Sequence, residues 1–321
     1  MLKKHCSKML SFFLFALTFS NFAFAQRQSE ITQSKQKVRT VTIPISIFTK
    51  KELRENQTEE LVQAGNIIVR ENGDEQVVLS IRSVTNAPLA LAILIQDDLS
   101  ANANLQLKDT ANFIKSLPRG SRVMVAYLRS GTFQIRQKFT EDLEKASKSL
   151  RAVVGNSAIA PSSPYEGIND ALKRFDALPT GRRAILLISD GLDTSRGVED
   201  SSPTQSLDLE QAIIKAQRKA VAVYTIYNAA TLTDNGNSRL ILNGQGSLNR
   251  ISEETGGRAF FQGTSSPISF TRFFEDLDLL LSRQFALTYL STNPKKGYYK
   301  TKVNSANPDV KIEHPQGYFY R

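Results

Sequence analysis

The sequence predicts an α/β protein, a doubly wound and mostly parallel sheet flanked by a small β unit built from the N- and C-terminal segments. Three observations predict it. "LALAILI" (89–95) and "RRAILLI" (182–188) are continuously apolar, as strands buried on both faces of a parallel sheet must be. Strand-patterned and helix-patterned stretches alternate between residues 87 and 284. Period-two strand patterns occupy both 40–86 and 285–321, and chain ends that lie close together can pair into one sheet.

Each element follows from its own pattern. "MLKKHCSKMLSFFLFALTFSNFAFA" sets Lys3, Lys4 and Lys8 before a short apolar core and ends on Ala23-Phe24-Ala25. That is the layout of a cleaved signal peptide over 1–25, with a linker over 26–39. The apolar core is shorter than the ~20 residues that span a bilayer. "VRTVTIPISIF", "NIIVREN" and "QVVLSIRSV" read as strands, and Asn72-Gly73 between the last two is a hairpin turn signal. After "LALAILI", Leu107, Ala111, Ile114 and Leu117 recur at helical spacing until Pro118 and Gly120. "SRVMVAYL" and "TFQIRQKF" are strands, and "EDLEKASKSLRAV" and "YEGINDALKRFDAL" are amphipathic helices. "RRAILLISD" is the second buried strand, and "LDLEQAIIKAQRKA" is a helix for which Asp208 and Gln211 suggest a capping box. "VAVYTIY" is a strand, "LNRISEETGG" a short glycine-closed helix, "RAFFQ" a strand and "SFTRFFEDLDLLLSRQ" the last helix. "FALTYLS", "GYYKTKV" and "VKIEHPQGYFYR" return to strands, in which Tyr298, Tyr299, Tyr318 and Tyr320 are expected to pack the sheet.

Composition removes whole classes of chemistry. The 321 residues carry a formal charge of +10, which falls to +7 once the three lysines of the signal are removed. The basic residues are scattered, without the stripe that nucleic-acid binding requires. Cys6 and His5 leave with the signal, so the mature chain holds no cysteine and only His314, which reads as a surface residue. Thiol, Ser-His-Asp and zinc chemistries therefore lack their parts.

What remains is oxygen chemistry at strand ends. In an open α/β sheet, ligands bind beyond the carboxyl ends of the strands where strand order reverses. "LALAILI" runs into Asp97, Asp98, Ser100 and Asn102, and "RRAILLI" into Asp190. Such hard donors suit Mg²⁺, Mn²⁺ or Ca²⁺. Each residue also has a structural reading. Asp98 and Asn102 suit helix caps, Asp190 before Gly191 suits a turn, and Ser163-Pro164-Tyr165-Glu166 suits a capping box that leaves Ser162 free to face the site.

The order of strand, D-x-S-x-N at Asp98 to Asn102, helix, two strands, a serine loop and "LLISDG" resembles the von Willebrand factor type A (VWFA) domain, a Rossmann-like fold. "ETGGRAFF" and the tail "FALTYLSTNPKKGYYKTKV" to "HPQGYFYR" resemble the VWFA-related domain of secreted bacterial proteins. The resemblance spans about Thr40 to Arg321 and implies a metal-ion-dependent adhesion site, in which a Mg²⁺ or Mn²⁺ ion bridges to a carboxylate of the partner. Carried over by position, the metal ligands are Asp98, Ser100, Asn102, Ser162 and Asp190. Two depart from the family pattern, Asn102 standing for serine and Ser162 for threonine, whose methyl fixes its rotamer.

The functional expectation is an exported, periplasmic or secreted, protein-binding module without enzymatic activity. Its expected partner is a protein or extracellular macromolecule with an exposed acidic group, and neither nucleic acid nor a stable membrane span is expected. The alternative is a metal-free scaffold or assembly subunit of the cell envelope with the same fold. A hydrolase would need a general base, and only Asp97 and Asp193 are left for that role.

Overall fold

Residues 38–49, 67–84, 86–129, 132–155, 161–178, 181–234 and 236–320 are described by a computed structural model. The expected signal peptide and nearly all of the 26–39 linker lie outside them. Val38 is followed by strands β1 (Arg39–Thr49), β2 (Ile67–Glu71) and β3 (Asp74–Ser83). Asn72 and Gly73 join β2 to β3 with φ of 52° and 100°, the left-handed pair that a two-residue hairpin loop requires. Next come β4 (Leu89–Gln96), helix α1 (Leu107–Ser116), β5 (Arg122–Arg129), β6 (Thr132–Thr140), α2 (Leu143–Lys148), α3 (Pro164–Arg174) and β7 (Arg182–Ser189). The chain continues through α4 (Leu207–Lys219), β8 (Ala222–Tyr227), the single turn α5 (Thr231–Asp234), α6 (Ser238–Thr255), β9 (Ala259–Phe260) and α7 (Thr271–Ser282). Strands β10 (Gln284–Ser291), β11 (Gly297–Ser305), β12 (Val310–Glu313) and β13 (Gly317–Tyr320) close it.

The central sheet has the order β6-β5-β4-β7-β8-β9, parallel throughout except for the antiparallel edge strand β6. Every residue of β4 is buried, as a strand covered on both faces must be. Helices α1, α2 and α7 cover one face, where Phe113, Ile114, Phe274 and Leu277 pack on Leu91, Ile93 and Leu186. Phe113 and Phe274 stack with ring centroids 4.5 Å apart. Helices α3, α4 and α6 cover the other, where Tyr165, Ile168, Ile213 and Leu248 pack on Ala92, Leu94 and Leu187. Each buried Leu or Ile contributes about 1.5–3 kcal/mol, so the two layers hold the strand ends in fixed register. From β4 the chain steps to β5 on one side and later to β7 on the other. The reversal therefore falls between the carboxyl ends of β4 and β7.

The flanking unit is larger than "small" implies. Its order is β12-β1-β10-β3-β2-β11-β13, seven strands in which β10 runs antiparallel between β1 and β3. Tail strands thus interleave with N-terminal ones. Glu71 of β2 is wholly buried in this sheet and accepts hydrogen bonds from the hydroxyls of Tyr289, Tyr318 and Ser291 and from the Asn293 amide. Arg39 lies 3.9 Å from it, with its guanidinium over the rings of Tyr299, Tyr318 and Tyr320.

Several local expectations need correction. The helix α6 runs from Ser238, not from Leu248, because Asn237 caps it by accepting from the Leu240 N–H, while Gly244 and Gly246 hide its first turns in the sequence. Ser206 caps α4 by accepting from the Leu209 N–H, in place of the Asp208 and Gln211 box. His314 is not a free surface residue: its Nε2 accepts from the Val303 N–H, and burial holds its pKa below the usual imidazole value. Among the described residues no helix is long and apolar enough to cross a membrane.

Candidate functional site

The polar end of β4 divides its residues between the two faces of the sheet. Asp97 turns toward the α1 and α2 side, where both carboxylate oxygens accept from the Arg151 guanidinium at 2.6 and 2.9 Å. Arg151 in turn lies over the Tyr127 ring, and the Val154 N–H also donates to Asp97. Asp97 is therefore a clamp that ties the loop after α2 to the end of β4. Gln96 and Asp98 face the other way, into a cavity of about 20 Å³ shared with Ser162, Ser163, Pro164 and Phe133. A space of that size holds about one water molecule or one ion.

Asp190 follows β7 directly and is 2% exposed. Its Oδ1 accepts from the Leu192 N–H at 3.1 Å, and its Oδ2 lies 3.5 Å from the Thr233 hydroxyl of α5. Burial, followed by the charge of Asp98, raises its pKa from 3.8 to about 7. Among the described residues no cationic side chain forms an ion pair with it. Gln96 fixes the backbone here, its Oε1 accepting from both the Ser189 hydroxyl and the Asp190 N–H. The turn is wedged from behind. Gly191 has φ of +76°, its carbonyl accepts from the Tyr165 hydroxyl at 2.7 Å, and a Cβ on Gly244 of α6 would stand 2.0 Å from the Asp190 carbonyl oxygen.

The remaining sequence candidates divide. Ser100 is drawn inward, its N–H donating to the Ala229 carbonyl, while its hydroxyl is buried without a hydrogen-bond partner. Ser162 lines the cavity and is held by Thr194, whose N–H donates to the Ser162 carbonyl at 2.8 Å and whose hydroxyl accepts from the Ser162 N–H at 3.1 Å. Asn102 is exposed on the 3₁₀ turn 101–106, and of the five candidates only Asp98 and Ser162 line the cavity; Asn102, Ser100 and Asp190 do not. Neither Asp98 nor Asn102 caps a helix: Ser100 occupies the N-cap of that turn, without a side-chain bond. Ser163 does sit at the N-cap of α3 with Pro164 after it, yet its hydroxyl bonds nothing. The capping-box reading fails there, and the hydroxyl is left at the cavity wall. Gln96 and Thr233 are neighbours of Asp190 that the sequence pattern did not single out. For Gln96 the signal was present, a lone amide ending a wholly apolar strand.

The donor set fits a hard divalent cation in type, with two carboxylates close enough to repel and, elsewhere on the first loop, a buried Ser100 hydroxyl without a partner. It is lean in charge. Among the described residues no three His, Cys, Asp or Glu side chains gather at one point, so hydroxyls and water would have to complete any coordination. The two acids left for hydrolysis are both engaged: Asp97 by Arg151, and Asp193 by the hydroxyls of Ser195 and Ser206.

No protein-family model matches this sequence, and no curated protein sequence matches it. The solved structures similar to this chain include von Willebrand factor type A domains. One, from Catenulispora acidiphila, shares 9% identity over 88% of this chain and 72% of its own, with a TM-score of 0.46. An aerotolerance-related membrane protein from Bacteroides fragilis shares 13% identity over 60% of this chain and 98% of its own, with a TM-score of 0.42. BatB from Bacteroides thetaiotaomicron shares 12% identity over 60% and 96%, with a TM-score of 0.40.

Proposed function

We propose that the protein is an exported interaction module of VWFA type that grips an acidic group of its partner through a divalent cation at the β4–β7 switch point. Asp98, Ser100, Ser162 and Asp190 would hold Mg²⁺ or Mn²⁺, which supplies a positive charge able to accept a partner carboxylate. Asn102, the fifth ligand implied by position, is exposed, unlike the buried Ser100 and Asp190, and is left out of the proposed set.

The observation that carries this reading is Asp190, a buried carboxyl with a second carboxylate nearby and no cationic partner among the described residues. Leaving a carboxylate so placed is costly unless a positive charge is delivered there. Asp97 and Asp193, the acids nearest the site that the proposed cation set leaves over, are engaged by Arg151 and by the Ser195 and Ser206 hydroxyls, which supports a binding role. The signal-like N-terminus supports export to the periplasm or beyond.

The test is a thermal melt of the mature chain with and without Mg²⁺ or Mn²⁺. Binding to the folded state stabilises it by RT ln(1 + [L]/Kd), about 2.7 kcal/mol at a hundredfold excess over Kd. A shift that vanishes in Asp190→Asn is the expected outcome. The absence of any shift at millimolar ion would favour the metal-free scaffold, a reading that the small cavity and the outward Asn102 support.

A further inference from the structure

A second recess lies away from the β4–β7 end, between the two sheets. Its volume is about 740 Å³, within the range of ligand-binding sites. One wall is β9 with Gly257 and Arg258, at the edge of the parallel sheet, and the other is β12 with β11, where β12 is the edge of the antiparallel sheet. Edge strands present unpaired backbone N–H and C=O groups, the usual template for an added strand.

The charges in this groove are unbalanced, with Arg258, Lys300, Lys302 and Lys311 against Glu253 and Glu313. Arg258 is matched by Glu313 at 2.6 Å. Lys300, Lys302 and Lys311 are exposed in the groove and have no ion pair among the described residues. Lys300 and Lys302 are two residues apart on β11, about 6.8 Å, the same spacing as alternate side chains of an extended peptide. Glu313 adds a different requirement, because its Oε2 is buried without a hydrogen-bond partner and calls for an N–H or O–H donor. A ligand with carboxylates at alternate positions and a backbone rich in N–H groups satisfies both.

We propose that this groove binds an extended acidic peptide segment of a partner protein, with its carboxylates on Lys300, Lys302 and Lys311 and its backbone along the edges of β9 and β12. The site is independent of the cation site.

The experiment uses the mature chain and a fluorescent synthetic peptide alternating valine and glutamate, read by anisotropy. Saturable binding that weakens with salt is expected. The triple variant Lys300→Gln, Lys302→Gln, Lys311→Gln, whose changes are all exposed, should weaken it by about tenfold or more with an unchanged melt. Methylating alternate backbone nitrogens of the peptide should abolish binding, whereas Asp190→Asn should leave it intact. Undiminished binding by the lysine variant or by the methylated peptide overturns the proposal, as does tighter binding of inorganic polyphosphate than of the peptide.

Discussion

Two buried carboxyls, Glu71 in the antiparallel sheet and Asp190 at the end of the parallel one, have opposite fates. Burial alone would raise the Glu71 pKa, but hydrogen bonds from Ser291, Tyr318, Asn293 and Tyr289 outweigh it and hold the group below its usual value. Asp190 has weaker donors and a repelling neighbour, and its pKa rises to about 7. The comparison teaches that burial does not decide whether a charge is structural. Partners do: Glu71 has four donors and a guanidinium nearby, whereas Asp190 has longer hydrogen bonds and a carboxylate beside it.

The largest effect should come from Glu71→Ala. Four donors, two of them buried, lose their acceptor and Arg39 its counter-charge, so the urea-unfolding free energy should fall by about 3–5 kcal/mol. The pH dependence has a definite sign. A lowered folded pKa means that this contribution is present above the unfolded value near 4.5 and is lost as the pH falls through the folded value. A Glu71→Ala variant as stable as wild type at pH 7 would mean that the hydrogen bonds to Glu71 contribute no net stability.

Asp190→Asn should act in the opposite direction. Without cation, the folded state holds the Asp190 proton more tightly than the unfolded chain does, so stability falls as pH rises from about 4 to about 7. The difference corresponds to roughly 2–4 kcal/mol at pH 8. Asp190→Asn should recover it in a metal-free melt at pH 8 and show little gain near pH 4. A destabilised variant at pH 8 would mean that the carboxylate is already satisfied.

A smaller loss is expected of Gly244→Ala, whose methyl would drive α6 away from the Asp190 carbonyl, at a cost of about 1–3 kcal/mol. The cation-induced melting shift should shrink with it. The smallest effect belongs to Asn102→Ala, an exposed change within about 0.5 kcal/mol. Loss of the cation shift in that variant would bring Asn102 into the site and redraw the first loop.

The layout of the parallel sheet was legible because the apolar runs of β4 and β7 leave no other environment open to them. The length of α6 was not, since the glycines that weaken its helix signal are there for close approach, Gly244 to the Asp190 carbonyl and Gly246 to Pro203. At the site, the carboxylates announced themselves as acids that end apolar strands. What sequence could not give was direction. Asp97 and Asp98 are adjacent and alike, and only the pleat, with Arg151 waiting on one side, separates clamp from candidate ligand. Thr233 was hidden for a related reason, because it reaches Asp190 from a single helical turn that carries no periodic signal.

The most direct test is Mn²⁺ binding to the chain from Gln26 onward, followed by electron paramagnetic resonance at pH 8. Saturable loss of the free-ion signal is expected, abolished in Asp190→Asn and in Asp98→Asn and retained in Glu71→Gln. Free Mn²⁺ at millimolar concentration, or binding that survives both aspartate changes, would contradict it.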